Sequence, residues 1–413
     1  MRFFNFSFRI DLNKYDFFII LIIASLAYGE FEALGAFTPI RLMGVCSVFY
    51  IIKNWKKLLK SGFASWVEFL IFWWVCMTVS LLWTPDINLA LIYWFHFTCI
   101  IGCFLALFIS TMKAKSPLMS FSTGWLIFVL ITIPIAIWEI TSGDHLSSGS
   151  FNVGQIRADG NYRIFAAVTF ANLNSYSLML TYTLPFLILL IWNNSIKKVK
   201  WFRLFVWLIF CLVFVVLIIN SSRAAFVCLF SAIVLMIVFR FKYYNTLQRL
   251  LLGGIVTTLV ILLISNLDEI EIFYQLFSRL DGHNMFADSN RIGLIKVGLN
   301  IAQDNLYFGG GTMSMIPLYQ RYNADFNYAH NMLIEMLVEH GALICVIFIA
   351  LFIKLLKRIK KVAEMSYQFL FYYVLVSIVF MIIIDDYYFV RSGYWIYLAS
   401  IISLSQIPYL NKR

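Results

Sequence analysis

The stretch "NLALIYWFHFTCIIGCFLALFIS", residues 88–110, contains no Asp, Glu, Lys or Arg and decides the class of fold. As an α-helix it is roughly 35 Å long, enough to cross the roughly 30 Å hydrocarbon core of a bilayer. Backbone polar groups in lipid need partners within the protein, and a barrel strand that meets this need is much shorter and alternates in polarity. The stretch therefore predicts a transmembrane helix.

The rest of the 413-residue chain has the same character, since 62% of its residues are hydrophobic and only 13% are charged. Soluble globular domains do not have this composition. Comparable apolar runs recur near 17–35, 37–52, 66–83, 122–140, 165–192, 202–219, 222–240, 248–266, 328–353, 368–385 and 391–408. We expect a single all-α integral membrane domain over residues 1–413, with about twelve transmembrane helices.

Basic residues predict the orientation of these helices. With the N-terminus in the cytoplasm, the Lys and Arg clusters near 53–60, 113–115, 197–203, 240–249 and 354–361 all fall on the cytoplasmic side, together with both termini. This agrees with the positive-inside rule. The net charge of +11 is thereby explained by topology, and no nucleic-acid partner is expected. No removable signal peptide is expected at the N-terminus.

Polar sequence on the outer side is concentrated in a first loop, 141–164, and a large loop, 267–327. Within the large loop, residues 288–305 combine a candidate N-cap, Asp288 or Ser289, with apolar residues at helical spacing. These apolar residues are Ile292, Ile295, Leu299 and Ala302. We predict an amphipathic helix on the membrane surface.

The basic residues assigned to the outer side are Arg with the exception of Lys296: Arg41, Arg157, Arg163, Arg223, Arg279, Arg291, Arg321 and Arg391. Arginine binds phosphate oxygens in a bidentate manner, which favours an outward site for a phosphorylated, anionic ligand. The alternative is that these arginines pair with outer acidic residues.

Six segments, in this order, resemble the O-antigen ligase and O-antigen polymerase superfamily of bacterial membrane proteins. They are "WTPDINLAL" (83–91), "WEITSGDHL" (138–146), "ANLNSYSLML" (171–180), "NSSRAAFVCLF" (220–230), "RIGLIKVGLNIAQDNLYFGGGT" (291–312) and "YAHNMLIEMLVEHGALICVIF" (328–348). This chain departs from the superfamily pattern in the large loop. Superfamily members commonly have Pro before the glycines of this loop, where this chain has Leu306, and its glycine run is Gly309, Gly310 and Gly311.

The resemblance implies a metal-independent C-type glycosyltransferase without a cofactor, located in the bacterial inner membrane. It would act at the periplasmic face on sugars carried by undecaprenyl pyrophosphate during lipopolysaccharide O-antigen or related polysaccharide synthesis. The functional residues carried over are Arg223 in "SSRAA", Arg291 in "NRIGL" and His330 in "AHNM". Lipid-linked donor and acceptor oligosaccharides are the expected substrates, membrane lipid surrounds the chain, and a separate chain-length regulator protein is a further expected partner.

The chemistry of these residue types agrees with that reading. Arg223 and Arg291 are suited to stabilise a pyrophosphate leaving group, and His330 is suited to accept a proton from a sugar hydroxyl near neutral pH. Binding roles are expected for Arg163 and Arg279 at the pyrophosphate of the acceptor lipid, for Asn174 at a sugar, and for Asn331 and Glu335 in the acceptor pocket. Asn331, Glu335 and Glu339 are spaced four apart on one helix face.

Three other functions remain open. A ligase uses the same donor but transfers the glycan to lipid A core, and sequence alone does not separate it cleanly from a polymerase. A metal-dependent oligosaccharyltransferase needs paired outer acids, for which Asp268, Glu269, Glu271, Asp385 and Asp386 are available. A lipid-linked sugar flippase, which is not an enzyme, needs polar groups throughout the bundle, whereas charge here stops at the outer helix ends.

Overall fold

A computed structural model describes residues 12–29, 38–146, 165–170, 173–192, 200–220, 223–241, 289–321, 329, 331–362, 364–384 and 391–410. These residues form helices and contain no strand. The α-helices are α1 Lys14–Ala24, α2 Pro39–Leu59, α3 Ala64–Ser80, α4 Ile87–Thr111, α5 Pro117–Ser142, α6 Leu173–Trp192, α7 Lys200–Asn220, α8 Arg223–Phe241, α9 Ser289–Asp304, α10 Met315–Arg321, α11 Met332–Lys360, α12 Met365–Ile384 and α13 Ser392–Leu410, and a 3₁₀-helix, Ser25–Tyr28, follows α1.

The all-helical prediction is confirmed for the described residues. Five helices are long and apolar enough to cross a membrane, namely α4, α5, α6, α7 from Trp201, and α11. Shorter apolar helical segments are Ala64–Ser80, Val227–Phe239 and Met365–Ile378. Every predicted span within the described residues overlaps a helix, whereas the span near 248–266 lies outside them. The total of about twelve spans stays a prediction.

One predicted span begins too early. The run 165–192 was expected to be helical throughout, but α6 begins at Leu173 and residues 165–170 are not helical. The physical reason is that the N–H groups of Ala166, Ala167 and Val168 donate to side chains of α5 and α7 instead of to carbonyls of a helical turn, as described below.

The core is a layer of buried aromatic side chains that joins helices far apart in sequence. Trp73 of α3, Phe97 of α4 and Trp395 of α13 are each no more than 1% exposed, and their ring centroids lie 5.0–5.3 Å apart. Trp125 of α5 stacks on Phe186 of α6 with centroids 5.4 Å apart. Such rings bury large apolar areas and fix the helices against one another.

The bundle has two ends that polar contacts define. At the end that the charge pattern assigns to the outside, here called the outer end, Thr169 donates to the Ala27 carbonyl and the end of α3 bonds to Thr312. At the opposite, inner end, the buried Asp16 carboxylate accepts hydrogen bonds from Lys115, Ser116 and Ser120.

Candidate functional site

Helix α11, which follows the predicted catalytic residue His330, is broken in its third turn. Asn331 caps the start of α11, because its Oδ1 accepts from the backbone N–H groups of Leu333 and Ile334 at 3.1 and 3.2 Å. Gly341 interrupts the helix with φ 78° and ψ 177°. The outer part of α11, residues 332–340, is therefore a short helix with its own direction, set on a longer apolar one.

A loop of residues 305–312, here called the glycine strap, supplies the hydrogen bonds that the break removes. In an unbroken helix the Val338 and Glu339 carbonyls accept from residues 342 and 343. Here they accept from Gly310 and Gly311 at 2.7 and 3.1 Å, while the N–H of Ala342 donates to Leu306 at 2.8 Å. The strap and the break thus satisfy each other's backbone groups.

Glycine is required on both sides of this contact. Gly309 has φ +70°, and a Cβ added to it would overlap the Glu339 carbonyl. A Cβ added to Gly341 would overlap the Tyr307 carbonyl. The two backbones lie too close for any side chain, and the positive φ is itself unfavourable for other residues.

The end of α3 holds the other side of the glycine strap. Trp83 Nε1 donates to the Gly309 carbonyl at 3.3 Å, and Thr84 Oγ1 donates to the Thr312 carbonyl at 2.6 Å. The Thr312 N–H donates to Ser80 Oγ at 3.1 Å. Three of the segments that carry the superfamily resemblance, "WTPDINLAL", the glycine run and the start of α11, are thereby joined in one hydrogen-bonded unit.

The outer part of α11 carries buried ionisable side chains. Glu335 is 1% exposed, Glu339 2% and His340 4%. Glu335 lies in the first turn, where the helix dipole favours a negative charge. Tyr319 of α10 is near it, and burial, with a smaller effect of the Glu335 charge, raises the pKa of the tyrosine hydroxyl. Tyr319 is consequently a neutral hydrogen-bond donor at physiological pH.

Helix α9 docks on this part of α11. Leu294 and Ile301 of α9 pack in one buried cluster with Tyr319, Ala329 and Val338. The Tyr319 hydroxyl donates to the Leu294 carbonyl at 2.8 Å. Ala329 immediately precedes His330, and Leu294 lies about one helical turn after Arg291. The structure therefore brings together the backbone segments that carry these two predicted catalytic residues.

The structure places the predicted residues as follows. Arg223 is the first residue of α8 and Arg291 the third of α9, while their side chains lie outside the described part. His330, Arg163 and Arg279 are outside the described residues. Asn331 is the half-buried cap of α11, Glu335 is buried one turn further, and Asn174 is exposed in the first turn of α6. The roles assigned to them remain predictions.

Glu139 and Asn220 are two further residues of this region that the sequence analysis missed. Together they are called the loop clamp here. The Glu139 carboxylate is 1% exposed and accepts from the N–H groups of Leu146, Ala167 and Val168 at 2.7–3.0 Å. Asn220 accepts from the Ala166 N–H at 2.8 Å and donates to the Ala166 carbonyl at 2.9 Å. The clamp fixes the backbone three to five residues after Arg163, and Asn220 itself lies three residues before Arg223.

A signal for the loop clamp is present in the sequence. Glu139 is an acid at the end of a predicted span, and Asn220 is an amide between an apolar run and "SSR". Buried polar groups in such places need hydrogen-bond partners. His145, in contact with Glu139 at 3.5 Å, stacks on Phe165 with ring centroids 4.1 Å apart.

Residues 207–349 match the family described as O-antigen ligase. The resemblance to the O-antigen polymerase and ligase superfamily is confirmed. The matched region is about a third of the chain, and it contains Arg223, Arg291, His330, the glycine strap and the break in α11. A comparison with curated proteins finds no match. Members of this superfamily are glycosyltransferase-like membrane enzymes of O-antigen synthesis, and the apolar helices of this chain agree with a membrane location.

Proposed function

We propose that this superfamily member is a surface-polysaccharide polymerase that joins repeat units carried on undecaprenyl pyrophosphate at the outer end of the bundle. The observation that carries the proposal is the docking of α9, which bears Arg291, against Ala329, just before His330, and against the outer part of α11, which follows it. The loop clamp adds support, because it ties the segment after Arg163 to the segment before Arg223.

The proposed reaction is a displacement at the anomeric carbon of the donor sugar. An acceptor sugar hydroxyl attacks this carbon while His330 takes the hydroxyl proton, and the bond between the anomeric carbon and the phosphate oxygen breaks. A new glycosidic bond forms and undecaprenyl pyrophosphate leaves with the electron pair. Arg223 and Arg291 stabilise the charge that develops on the leaving group, so we expect turnover to continue in EDTA.

The described polar residues around α11 suit supporting roles. Asn331 uses its Oδ1 to cap the helix, so its Nδ2 is the group left for a sugar hydroxyl. The cap also fixes the backbone next to His330. Glu335 is assigned to the acceptor pocket, where a carboxylate accepts hydrogen bonds from sugar hydroxyls. Asn174, exposed on α6, is assigned to a more distant sugar of the growing chain.

The ligase reaction is the second candidate, since the matched family is described by that name. We favour the polymerase because "GDHLSSGSFN" (143–152) and "ANLNSYSLML" (171–180) resemble polymerase members more closely. A polymerase also needs a second, looser anion site for the pyrophosphate of its acceptor, and Arg163 and Arg279 are assigned there.

The deciding experiment gives the purified full-length chain a lipid-linked repeat unit, with or without lipid A core. A ladder of products on undecaprenyl pyrophosphate without lipid A core supports the polymerase. Transfer only to lipid A core supports the ligase, and movement of lipid between leaflets without a new glycosidic bond supports a flippase. In cells, a polymerase deletion leaves lipid A core with at most one repeat unit, and His330→Ala should reproduce the deletion phenotype.

A further inference from the structure

A groove of about 520 Å³ lies beside the inner end of α11, far from the glycine strap along the same helix. Its lining residues are Ala350, Ile353, Lys354, Lys357, Arg358 and Lys361. Each of the four basic residues lies three positions from one of the others and four positions from another, so they share one face of the helix. None of the six lining residues is acidic, and the groove therefore presents a concentrated positive charge.

Two of these cations are held in place by the residues at the start of α3. Lys354 Nζ donates to Ser65 Oγ at 3.0 Å, and Arg358 Nη1 donates to the Gly62 carbonyl at 3.4 Å. Gln406 of α13 donates to the same carbonyl at 3.0 Å. Long basic side chains that are already oriented lose less conformational entropy when they bind an anion.

An exposed apolar stripe on α11 leads directly into the groove. Leu343 is 50% exposed, Val346 62% and Ile353 46%, with the exposed Ala350 between them. From residue 343 to residue 353 the helix rises roughly 15 Å, which is about half of a 30 Å hydrocarbon core. The stripe therefore has the length of one leaflet and ends at the cations.

The geometry points to a binding site for an anionic phospholipid, with its phosphate among Lys354, Lys357 and Lys361 and an acyl chain along the apolar stripe. Basic pockets at this level of a membrane protein bind anionic headgroups, and each Lys near the surface adds to the attraction. A free phosphate ion uses only the basic part of the groove and none of the stripe. The inference is independent of the reaction proposed above.

The test measures lipid retained by the purified full-length chain in native mass spectrometry, using dioleoylphosphatidylglycerol and dioleoylphosphatidylcholine, which share their acyl chains. We expect the wild-type chain to prefer the glycerol lipid by about tenfold or more. The triple variant Lys354→Gln, Lys357→Gln, Lys361→Gln should lose this preference. Lys357→Gln alone, at an exposed position, should lose part of it and serves if the triple variant does not fold.

The matched control is Lys56→Gln, Lys57→Gln, Lys60→Gln. These exposed lysines lie at the same end, just before Gly62, and do not line the groove. The control should keep the wild-type preference. The inference is overturned if the control loses as much preference as the groove variant, if the wild-type chain retains both lipids equally, or if inorganic phosphate displaces the bound lipid.

Discussion

The carboxylate of Glu139 accepts more hydrogen bonds than the side chain of Asn220, the other residue of the loop clamp. It is buried at the end of α5 and accepts three backbone N–H groups, two of them from residues 28 and 29 positions later. Hydrogen bonds to a charged acceptor contribute more than neutral ones, typically about 1.5–3 kcal/mol. The backbone of residues 167 and 168 thus depends on this side chain for its shape.

Glu139→Gln should lower both stability and activity. The amide keeps the size of the side chain but has one acceptor oxygen, and its NH₂ group then faces backbone N–H donors. We expect a loss of at least about 2 kcal/mol, seen as a lower melting temperature by size-exclusion chromatography after heating. The control Asp144→Asn changes charge equally at an exposed position and should melt like wild type. Equal melting temperatures of the two variants would contradict a stabilising role of the loop clamp.

Arg223 and Arg291 are the two arginines of the matched region that are assigned to the leaving group. Arg223→Lys and Arg291→Lys keep a cation but lose the planar fork that engages two phosphate oxygens. Each should reduce the rate of glycosidic bond formation about 100-fold or more while insertion and purification stay normal. Arg321→Lys, at an exposed position on α10, is the matched control and should keep wild-type activity. Near-normal activity of either test variant shows that its arginine only anchors a helix.

The sequence predicts which residues carry the chemistry, and that assignment stays a prediction, whereas it does not predict the polar contacts that hold the neighbouring backbone. The six ordered segments led to Arg223, Arg291 and His330, and the matched region contains all three. Glu139 and Asn220 stand in quoted segments as well, yet no role followed, because their partners are backbone groups of a non-helical segment. Hydrophobic periodicity cannot reveal such a segment, since residues 165–170 are as apolar as a span.

At the scale of elements, the break in α11 depends on its contact with the glycine strap, a segment about 30 residues earlier in the chain. The sequence predicted one uninterrupted span over 328–353, because Gly341 stands among apolar residues. A single glycine in a helix does not by itself break it. The break exists because the Gly310 and Gly311 N–H groups take over the Val338 and Glu339 carbonyls. In the sequence, the glycine run 309–311 is the one indication that this segment pairs with the break in α11.

Gly309→Ala tests the contact between the glycine strap and α11. The added methyl group requires both an unfavourable φ and a backbone displacement at Glu339. Gly143→Ala is the control, because Gly143 also has a positive φ, +78°, but nothing lies within 4 Å of its added Cβ. The control should lose about 1 kcal/mol. The strap variant should lose clearly more stability and also activity, as measured by melting and by polymer formation; equal losses in the two variants would contradict the contact.

Helix α9 shows how much of an amphipathic pattern is informative. The prediction of a helix over 288–305 agrees with Ser289–Asp304. Of the expected apolar face, Ala302 is buried and Leu299 is 40% exposed, while the buried face also contains Leu294 and Ile301. The helix has apolar residues on two sides, so one side packs on α10 and α11 while Leu299 stays exposed. Neighbouring elements, which the pattern does not contain, decide between the sides.

At the scale of the whole molecule, helix positions follow from apolar length and helix contacts do not. Each described span overlaps a helix because length and the need for internal backbone hydrogen bonds fix that outcome locally. The aromatic layer of Trp73, Phe97 and Trp395 joins α3, α4 and α13, and no periodicity in any one of them predicts the other two. Shape complementarity between distant segments selects such contacts.

The orientation of the molecule is tested by its two ends. Single cysteines at Tyr307, 74% exposed in the glycine strap, and at Lys60, exposed at the end of α2, are both accessible to water-borne reagents in the structure. Only the membrane can then distinguish them, provided that the seven native cysteines are replaced. In intact spheroplasts a membrane-impermeant maleimide should label position 307 and not position 60, because the positive-inside rule places the lysine-rich end in the cytoplasm. Permeabilised cells, as the control, should show labelling at both. Labelling of position 60 alone in intact spheroplasts would place the glycine strap in the cytoplasm and remove the proposed reaction from the periplasmic face.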